Sequence, residues 1–280
     1  MSGSSDRRRD VELVRLDVEL VARGLARSRG QARELVEAGS VLVDGSAAVK
    51  VSTPVGPHQK LELRAGVQGW VSRAAYKLSS ALEAFGPDGL SPLGKRCFDV
   101  GACTGGFTQV LLREGAREVL AIDVGHGQLA EEIASDPRVV ERSGLNIRDA
   151  RADELGGPAQ LLVADLSFIS LRLVLPVLRD LVEDTGDLVL LVKPQFEVGR
   201  ERLGRGGIVR SPSNRALAIE GVVGAARTAG LNARALRASP IRGATGNAEY
   251  LLWLTPRPGQ GLTAEQVTRL AATLSTEAPR

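Results

Sequence analysis

Short apolar runs alternating with helical stretches constrain this chain more than any other feature. Cys97-Phe98-Asp99-Val100, Val119 to Ile122, Leu161 to Ala164 and Leu188 to Val192 are strand-length and nearly continuous in hydrophobicity. Strands without an alternating polar face are buried on both sides, which requires a parallel sheet with helices above and below. Ala235 to Ala238 and Tyr250 to Leu254 would complete the sheet, and Ser72 to Phe85 reads as a helix that opens this region. The expectation is an α/β domain over residues 71–258 with a mostly parallel sheet, followed by a polar, partly helical tail over 259–280.

Residues before Trp70 follow another pattern. Residues 1–10 are polar and Arg-rich and read as a disordered basic tail. Asp17 can cap a helix running to about Ala26, and Ser28 a second from Arg29 to about Ala38, with Gly39 as its left-handed stop. Val41-Leu42-Val43 reads as a strand, Asp44-Gly45 as a hairpin turn, Ala48 to Val51 as a second strand and Leu61-Glu62-Leu63 as a third. This makes a small α+β unit over residues 11–65, joined by a linker over 66–70.

Composition narrows the functional classes. A length of 280 residues suits two domains, and 43% hydrophobic content suffices for a sizeable core. The net charge of +3 is a mild basic bias compatible with nucleic acid, while 3% aromatic content disfavours binding by many stacked rings. Cys97 and Cys103 fit no zinc spacing, so no metal is expected, and their number suits a reducing compartment. The start of the chain lacks the apolar core of a secretory signal, and no apolar run approaches the ~20 residues of a membrane span. A cytoplasmic protein without membrane insertion is expected.

The first strand ends in Asp99-Val100-Gly101-Ala102-Cys103-Thr104-Gly105-Gly106. Glycines there let the backbone approach a ligand at the carboxyl end of the sheet. Asp123, at the end of the next strand, can accept both ribose hydroxyls of an adenosine. A dinucleotide site would want G-x-G-x-x-G around a pyrophosphate. This loop is G-x-x-x-G-G behind an acidic residue, which would repel pyrophosphate and attract the ammonium of a methionine moiety. S-adenosylmethionine is the favoured cofactor, held by Asp99, Gly101, Ala102, Gly105, Gly106, Asp123, the region of Asn146, and Asp165; a plain glycine turn is the bland alternative.

Four polar residues stand at strand ends or on the opening helix: Lys77, Asp165, Lys193 and Glu249. Methylating a ribose hydroxyl means removing a proton from a weak acid and holding the oxygen in line with a sulfonium methyl. A lysine serves as the base only if its pKa is lowered, and two adjacent lysines would lower each other's. Taken singly, Lys77 could be a surface lysine, Asp165 a turn former and Glu249 an edge charge. Lys193 is harder to dismiss, because it directly follows a long apolar strand.

With these residues in place, the chain from about Val11 to Leu254 resembles the TlyA family, hemolysin A-like ribosomal RNA ribose methyltransferases whose catalytic domain is similar to the FtsJ-type enzymes. The resemblance is carried by Trp70-Val71-Ser72-Arg73, Gly105-Gly106-Phe107-Thr108, Asp123-Val124-Gly125, Ala164-Asp165-Leu166-Ser167-Phe168-Ile169-Ser170, Val192-Lys193-Pro194-Gln195-Phe196-Glu197-Val198-Gly199, Ser239-Pro240 and Gly246-Asn247 with Glu249-Tyr250. It implies a Rossmann-like, S-adenosylmethionine-dependent methyltransferase domain with a seven-stranded sheet. It implies a Lys77-Asp165-Lys193-Glu249 tetrad with Lys193 as general base, and methylation of cytidine riboses in rRNA of one or both ribosomal subunits. It also implies an RNA-binding module of ribosomal-protein type, matched by Ala26-Arg27-Ser28-Arg29-Gly30-Gln31-Ala32-Arg33 and Val43-Asp44-Gly45. Two departures stand out: Cys103-Thr104 replaces the commoner Ser-Thr pair, and Gln68-Gly69 replaces a more basic lead-in to Trp70.

Arg23, Arg27, Arg29 and Arg33 cluster around the first two helices and could face phosphates; a solvated basic face is the alternative. Arg200 and Arg205, with Arg202 and Arg210, lie in a glycine-rich loop after the Lys193 strand that could close over RNA. The rival readings are a hemolysin-like membrane-active protein, a non-catalytic RNA-binding ribosome-assembly factor, and a nicotinamide-dependent reductase. The missing membrane features, the intact tetrad and the missing G-x-G-x-x-G respectively disfavour them.

Overall fold

The computed structural model describes residues 13–26, 28–37, 39–63, 69–259 and 261–277. The tail over 1–10, the linker's residues 66–68 and Arg27 lie outside them. The chain divides into two compact units, Met1–Trp70 and Val71–Arg280.

The first unit contains β1 (Val14–Arg15), α1 (Leu16–Ala22), α2 (Arg29–Glu37), β2 (Val41–Val43), β3 (Ser46–Ala47), β4 (Pro54–Val55) and β5 (Leu61–Leu63). Leu16 and Leu20 of α1 pack with Ala32, Leu35 and Val36 of α2 over Val41, Val55 and Leu61. Ser28 caps α2 as expected, its hydroxyl accepting the Gln31 amide at 3.2 Å, and Gly39 takes φ 66°. Asp17 does not cap α1. Arg15 occupies the cap position, and Asp17 lies in the first turn, where its carboxylate accepts Arg15 and Arg29. Those guanidinium bonds, the Arg15 bond foremost, hold its carboxyl down to about 2.

Asp44 and Gly45 both have positive φ, 50° and 80°, the geometry of a two-residue hairpin turn. Pairing therefore begins at once, Val43 against Ser46, which places β3 before the expected Ala48–Val51 run. The two-residue strands β1 and β4 pair antiparallel and are too short for a sequence pattern to reveal.

The second unit runs α3 (Ala74–Phe85), β6 (Arg96–Val100), α4 (Gly106–Arg113), β7 (Glu118–Asp123), α5 (Glu131–Ala134), β8 (Val139–Ser143), β9 (Ala159–Ala164), α6 (Leu171–Asp180), β10 (Val182–Val192), α7 (Pro194–Glu197), α8 (Pro212–Thr228), β11 (Asn232–Ala238), β12 (Tyr250–Thr255) and α9 (Ala264–Thr276). Its seven strands lie in the order β11-β12-β10-β9-β6-β7-β8. β12 runs antiparallel to both its neighbours, and the other pairs are parallel. The sheet grows in opposite directions from β6 and β9, so their carboxyl ends open a crevice where open α/β sheets bind ligands. β8 was not among the apolar runs read from sequence. It is an edge strand whose Glu141, Arg142 and Ser143 are exposed, as edges generally are charged.

The segment expected as a polar, partly helical tail is helical, as α9, but it packs into the core instead of lying apart as a tail. A capping box of Thr263 and Gln266 starts this helix, and Val267, Ala271 and Leu274 are buried in the main core against α8 and β11. The sequence reads as polar because only one stripe of the helix turns inward. Leu274→Ala should therefore destabilise the protein by about 2–4 kcal/mol, measured by urea unfolding; a peripheral tail would leave the midpoint unchanged.

Candidate active site

The loop between β6 and α4 forms one wall of the crevice. Gly101 has φ 85°, and a Cβ there would sit 2.9 Å from the Asp165 carbonyl oxygen, so only glycine lets the ends of β6 and β9 come this close. Gly105 turns the chain into α4 with φ 90°. A Cβ on Gly106 would strike Ser72 Oγ and stand 3.1 Å from the Ala75 amide. Gly106 is thus the contact that seats α4 against the start of α3.

Below this loop lies a cleft of about 440 Å³ lined by Gly101, Cys103, Asp123, Asn146 and Asp165 among apolar walls from Val100, Ile122, Leu145, Ile147 and Ile169. Asp123 ends β7, and its two carboxylate oxygens accept the Cys103 amide at 2.9 Å and the Gly125 amide at 2.7 Å. Each oxygen keeps a second lone pair. Asn146 Oδ1 accepts the Arg148 amide at 3.1 Å, which leaves its Nδ2 protons to donate. A long, mostly apolar slot with a fixed carboxylate, an amide and a second carboxylate fits an adenosine carrying a cationic methionine moiety. Ala102, Gly105 and Gly106 shape the loop without lining this cleft.

Asp99 departs from its expected role. It is fully buried beneath the loop, where Oδ2 accepts the Thr108 hydroxyl at 2.6 Å and Oδ1 has no partner. It braces the first turn of α4 and is not among the residues that line the cleft. Burial, with Asp165 and Asp123 adding to it, pushes its carboxyl up to about 7 against the opposing Thr108 bonds.

The four tetrad residues converge, although they come from α3, the ends of β9 and β10, and the start of β12. Lys77 Nζ lies 3.0 Å from Asp165 Oδ2 and 2.8 Å from Glu249 Oε2. Lys193 Nζ lies 2.7 Å from Asp165 Oδ1, in an ion pair without a directed hydrogen bond, and donates to Ser167 Oγ at 2.7 Å. No side chain of the four is more than 13% exposed, so two cations and two carboxylates balance in a nearly dry site. The expected mutual depression of the two lysines does not hold for Lys77. Burial works against its charge, but Asp165 and Glu249 together outweigh burial and hold the ammonium above its ordinary value. Burial likewise opposes the Asp165 charge, and the two lysines still hold that carboxyl below its usual range.

A second cavity of about 410 Å³ opens on this cluster, lined by Lys77, Lys193, Glu249, Arg73, Gln195 and both Phe168 and Phe196. Ser167 and Phe168 line both cavities, which therefore meet beside Asp165. Phe168 is 93% exposed with φ 64°. Sequence reasoning assigned no role to Ser167, Phe168 or Phe196. The repeated pattern of a charged residue followed three positions later by Phe, in Asp165–Phe168 and Lys193–Phe196, was the available signal.

The arginines divide. Arg23 donates to Glu19 and to the carbonyls of Gly56 and Gln59, which directs it into its own unit, away from a phosphate. Arg29 and Arg33 are well exposed and line a concavity of about 680 Å³ with Arg15 and Lys50. Arg200 and Arg205 are exposed, in a loop that Asn247 pins by accepting the Val209 amide at 2.9 Å and donating to the Gly207 carbonyl at 3.0 Å. Leu203, Gly206 and Gly207 of this loop line the second cavity. Among the described residues, no helix is long and apolar enough to cross a membrane.

An FtsJ-like methyltransferase model matches residues 70–255, and an S4 domain model matches residues 14–61. A 16S/23S rRNA (cytidine-2'-O)-methyltransferase, TlyA, of Mycobacterium tuberculosis is 48% identical over 90% of this chain and 93% of its own. A candidate rRNA methyltransferase of Bacillus subtilis is 40% identical over 91% and 92%. The solved structure of a candidate hemolysin from Streptococcus thermophilus is 37% identical, with a TM-score of 0.73 over 95% of this chain and 97% of that one.

The Asp99 carboxyl ties stability to pH. The folded protein keeps a proton up to about pH 7 that the unfolded chain, with an ordinary value of 3.8, releases earlier. Rising pH therefore lowers stability across this interval, and the loss levels off above it. Asp99→Asn should flatten that decline, as read by urea unfolding at several pH values; a curve parallel to the parent protein's would refute the assignment.

Proposed function

This chain belongs to the FtsJ-like methyltransferase family, and its full-length likeness places it among the TlyA members; we propose that it transfers the methyl group of S-adenosylmethionine to the 2′-oxygen of a cytidine ribose in rRNA, in the cytoplasm. The observation that carries this reading is the convergence of Lys77, Asp165, Lys193 and Glu249 where the two cavities meet.

Asp123 takes the cofactor ribose, Asn146 and Ile147 the adenine, and Asp165 lies toward the methionine amine. When bound, the cofactor would supply a methyl group on a sulfonium. The two lysines then differ in role. Lys77 is clamped between two carboxylates and stays cationic, steering the incoming hydroxyl and holding Asp165. Lys193 faces one carboxylate and the Ser167 hydroxyl and lines the acceptor cavity, so as the neutral amine it would take the 2′-hydroxyl proton and become an ammonium paired with Asp165. Glu249 fixes Lys77. Arg29, Arg33 and the Arg200–Arg205 loop contact rRNA phosphates, and the S4 unit supplies the first docking surface on RNA or on an assembled ribosomal subunit.

Methyl transfer from labelled S-adenosylmethionine to small- and large-subunit particles and naked rRNA, with the modified nucleotide mapped, tests the reading. The label should sit on a cytidine 2′-oxygen. Lys193→Ala should lower kcat by about 10²–10⁴-fold while cofactor binding persists. Label on a base, or full activity in Lys193→Ala, would overturn it. Separately, Arg33→Ala should weaken RNA binding and reduce the salt dependence of log K by about one, measured by filter binding at several salt concentrations.

A further inference from the structure

Two parallel segments carry the reacting groups. Residues 165–170 leave β9, and residues 193–197 leave the adjacent β10. They are joined at three levels. At the strand ends Lys193 meets Asp165 and Ser167. Farther out the Phe168 and Phe196 rings lie 5.5 Å apart. At the far end Glu197 accepts the Ser170 hydroxyl at 2.6 Å and the Leu171 amide at 2.7 Å, and pairs with Arg172 Nε at 3.3 Å. Arg172 also donates to the Glu197 carbonyl at 2.8 Å.

The Glu197 side chain is 2% exposed. A carboxylate withdrawn this far from water is kept only where several partners replace its hydration. Those partners all belong to the start of α6, whereas Glu197 itself ends α7. The segment they hold is strained, because Phe168 is a bulky residue at positive φ, a conformation that persists only when its flanks are fixed. On the β9 side that flank is the Asp165 amide bonded to the Val100 carbonyl. On the α6 side it is Glu197.

We propose that Glu197 is a positioning residue: by clamping the start of α6 to α7 it sets both the Lys193–Asp165 contact and the wall that residues 166–169 present to the cofactor cleft. This rests on the reading of the site given above. Glu197 touches neither cavity and acts only through the residues it holds.

The test compares full-length protein with Glu197→Ala and Glu197→Gln by calorimetric titration of S-adenosylmethionine without RNA, and by the pH profile of kcat on rRNA. Glu197→Ala should bind cofactor at unchanged stoichiometry about tenfold more weakly, lower kcat about tenfold or more per cofactor site, and displace the pH profile. Glu197→Gln can still accept the Leu171 amide and bond Ser170. It should stay within about threefold on both measures and keep the profile. Leu274→Ala, destabilised at a distance, should match the parent protein in affinity and profile, which separates positioning from general loss of stability. Parent-like affinity and profile in Glu197→Ala would overturn the proposal, as would equal impairment of the glutamine variant. If Glu197→Ala fails to fold, Ser170→Ala decides. It removes one of the clamp's bonds and should weaken cofactor binding about threefold; parent-like binding would again overturn the proposal. Absence of methyl transfer by the parent protein would sink the rRNA reading alone, because the calorimetric comparison needs no RNA.

Discussion

Everything at this site depends on one carboxylate. Asp165 ends β9, where the sheet's growth direction reverses, and its two oxygens hold two lysines from different elements. Without it the two ammonium groups would repel at close range in a nearly dry cavity. With it they can be packed together, and the surplus stabilisation falls on Lys77, which Glu249 also neutralises. Lys77 thus meets two carboxylates and Lys193 one.

The same residue stands where the two cavities adjoin. Gly101 approaches its backbone so closely that a side chain there would collide with the Asp165 carbonyl, so the glycine loop and the four-residue charge cluster are built on one contact. Ser167 and Phe168, the next residues along, line both cavities. A disturbance in this segment would therefore reach both cavities.

Charges elsewhere show how context changes a residue's role. Asp99, Asp123 and Asp165 all sit at or near the carboxyl ends of neighbouring strands. Asp123 and Asp165 line the cleft; Asp99 is sealed beneath the loop, where burial favours its protonated form. Arg23 caps the first helix of the S4 unit and Arg33 lies on the second, yet one is directed at loop carbonyls and the other, well exposed, pairs with Glu37 on its own helix. Residue type and spacing alike are poor guides to such differences, because both depend on what covers the side chain.

The sequence by itself determined the α/β class, the parallel core strands, the glycine loop and the hairpin at Asp44-Gly45. These are local facts: hydrophobic periodicity and backbone conformational demands are written in contiguous residues. The full-length resemblance added the reaction class. Only the tertiary structure decided that α9 completes the core, because a helix with one narrow apolar stripe looks polar until its neighbour is known. Only the tertiary structure showed that Lys77 meets two carboxylates and that Asp99 is sealed beneath the loop, because both depend on segments distant in the chain. Glu197 shows the same limit: its partners lie a strand away, about 26 residues earlier in the chain, and only folding brings them within reach.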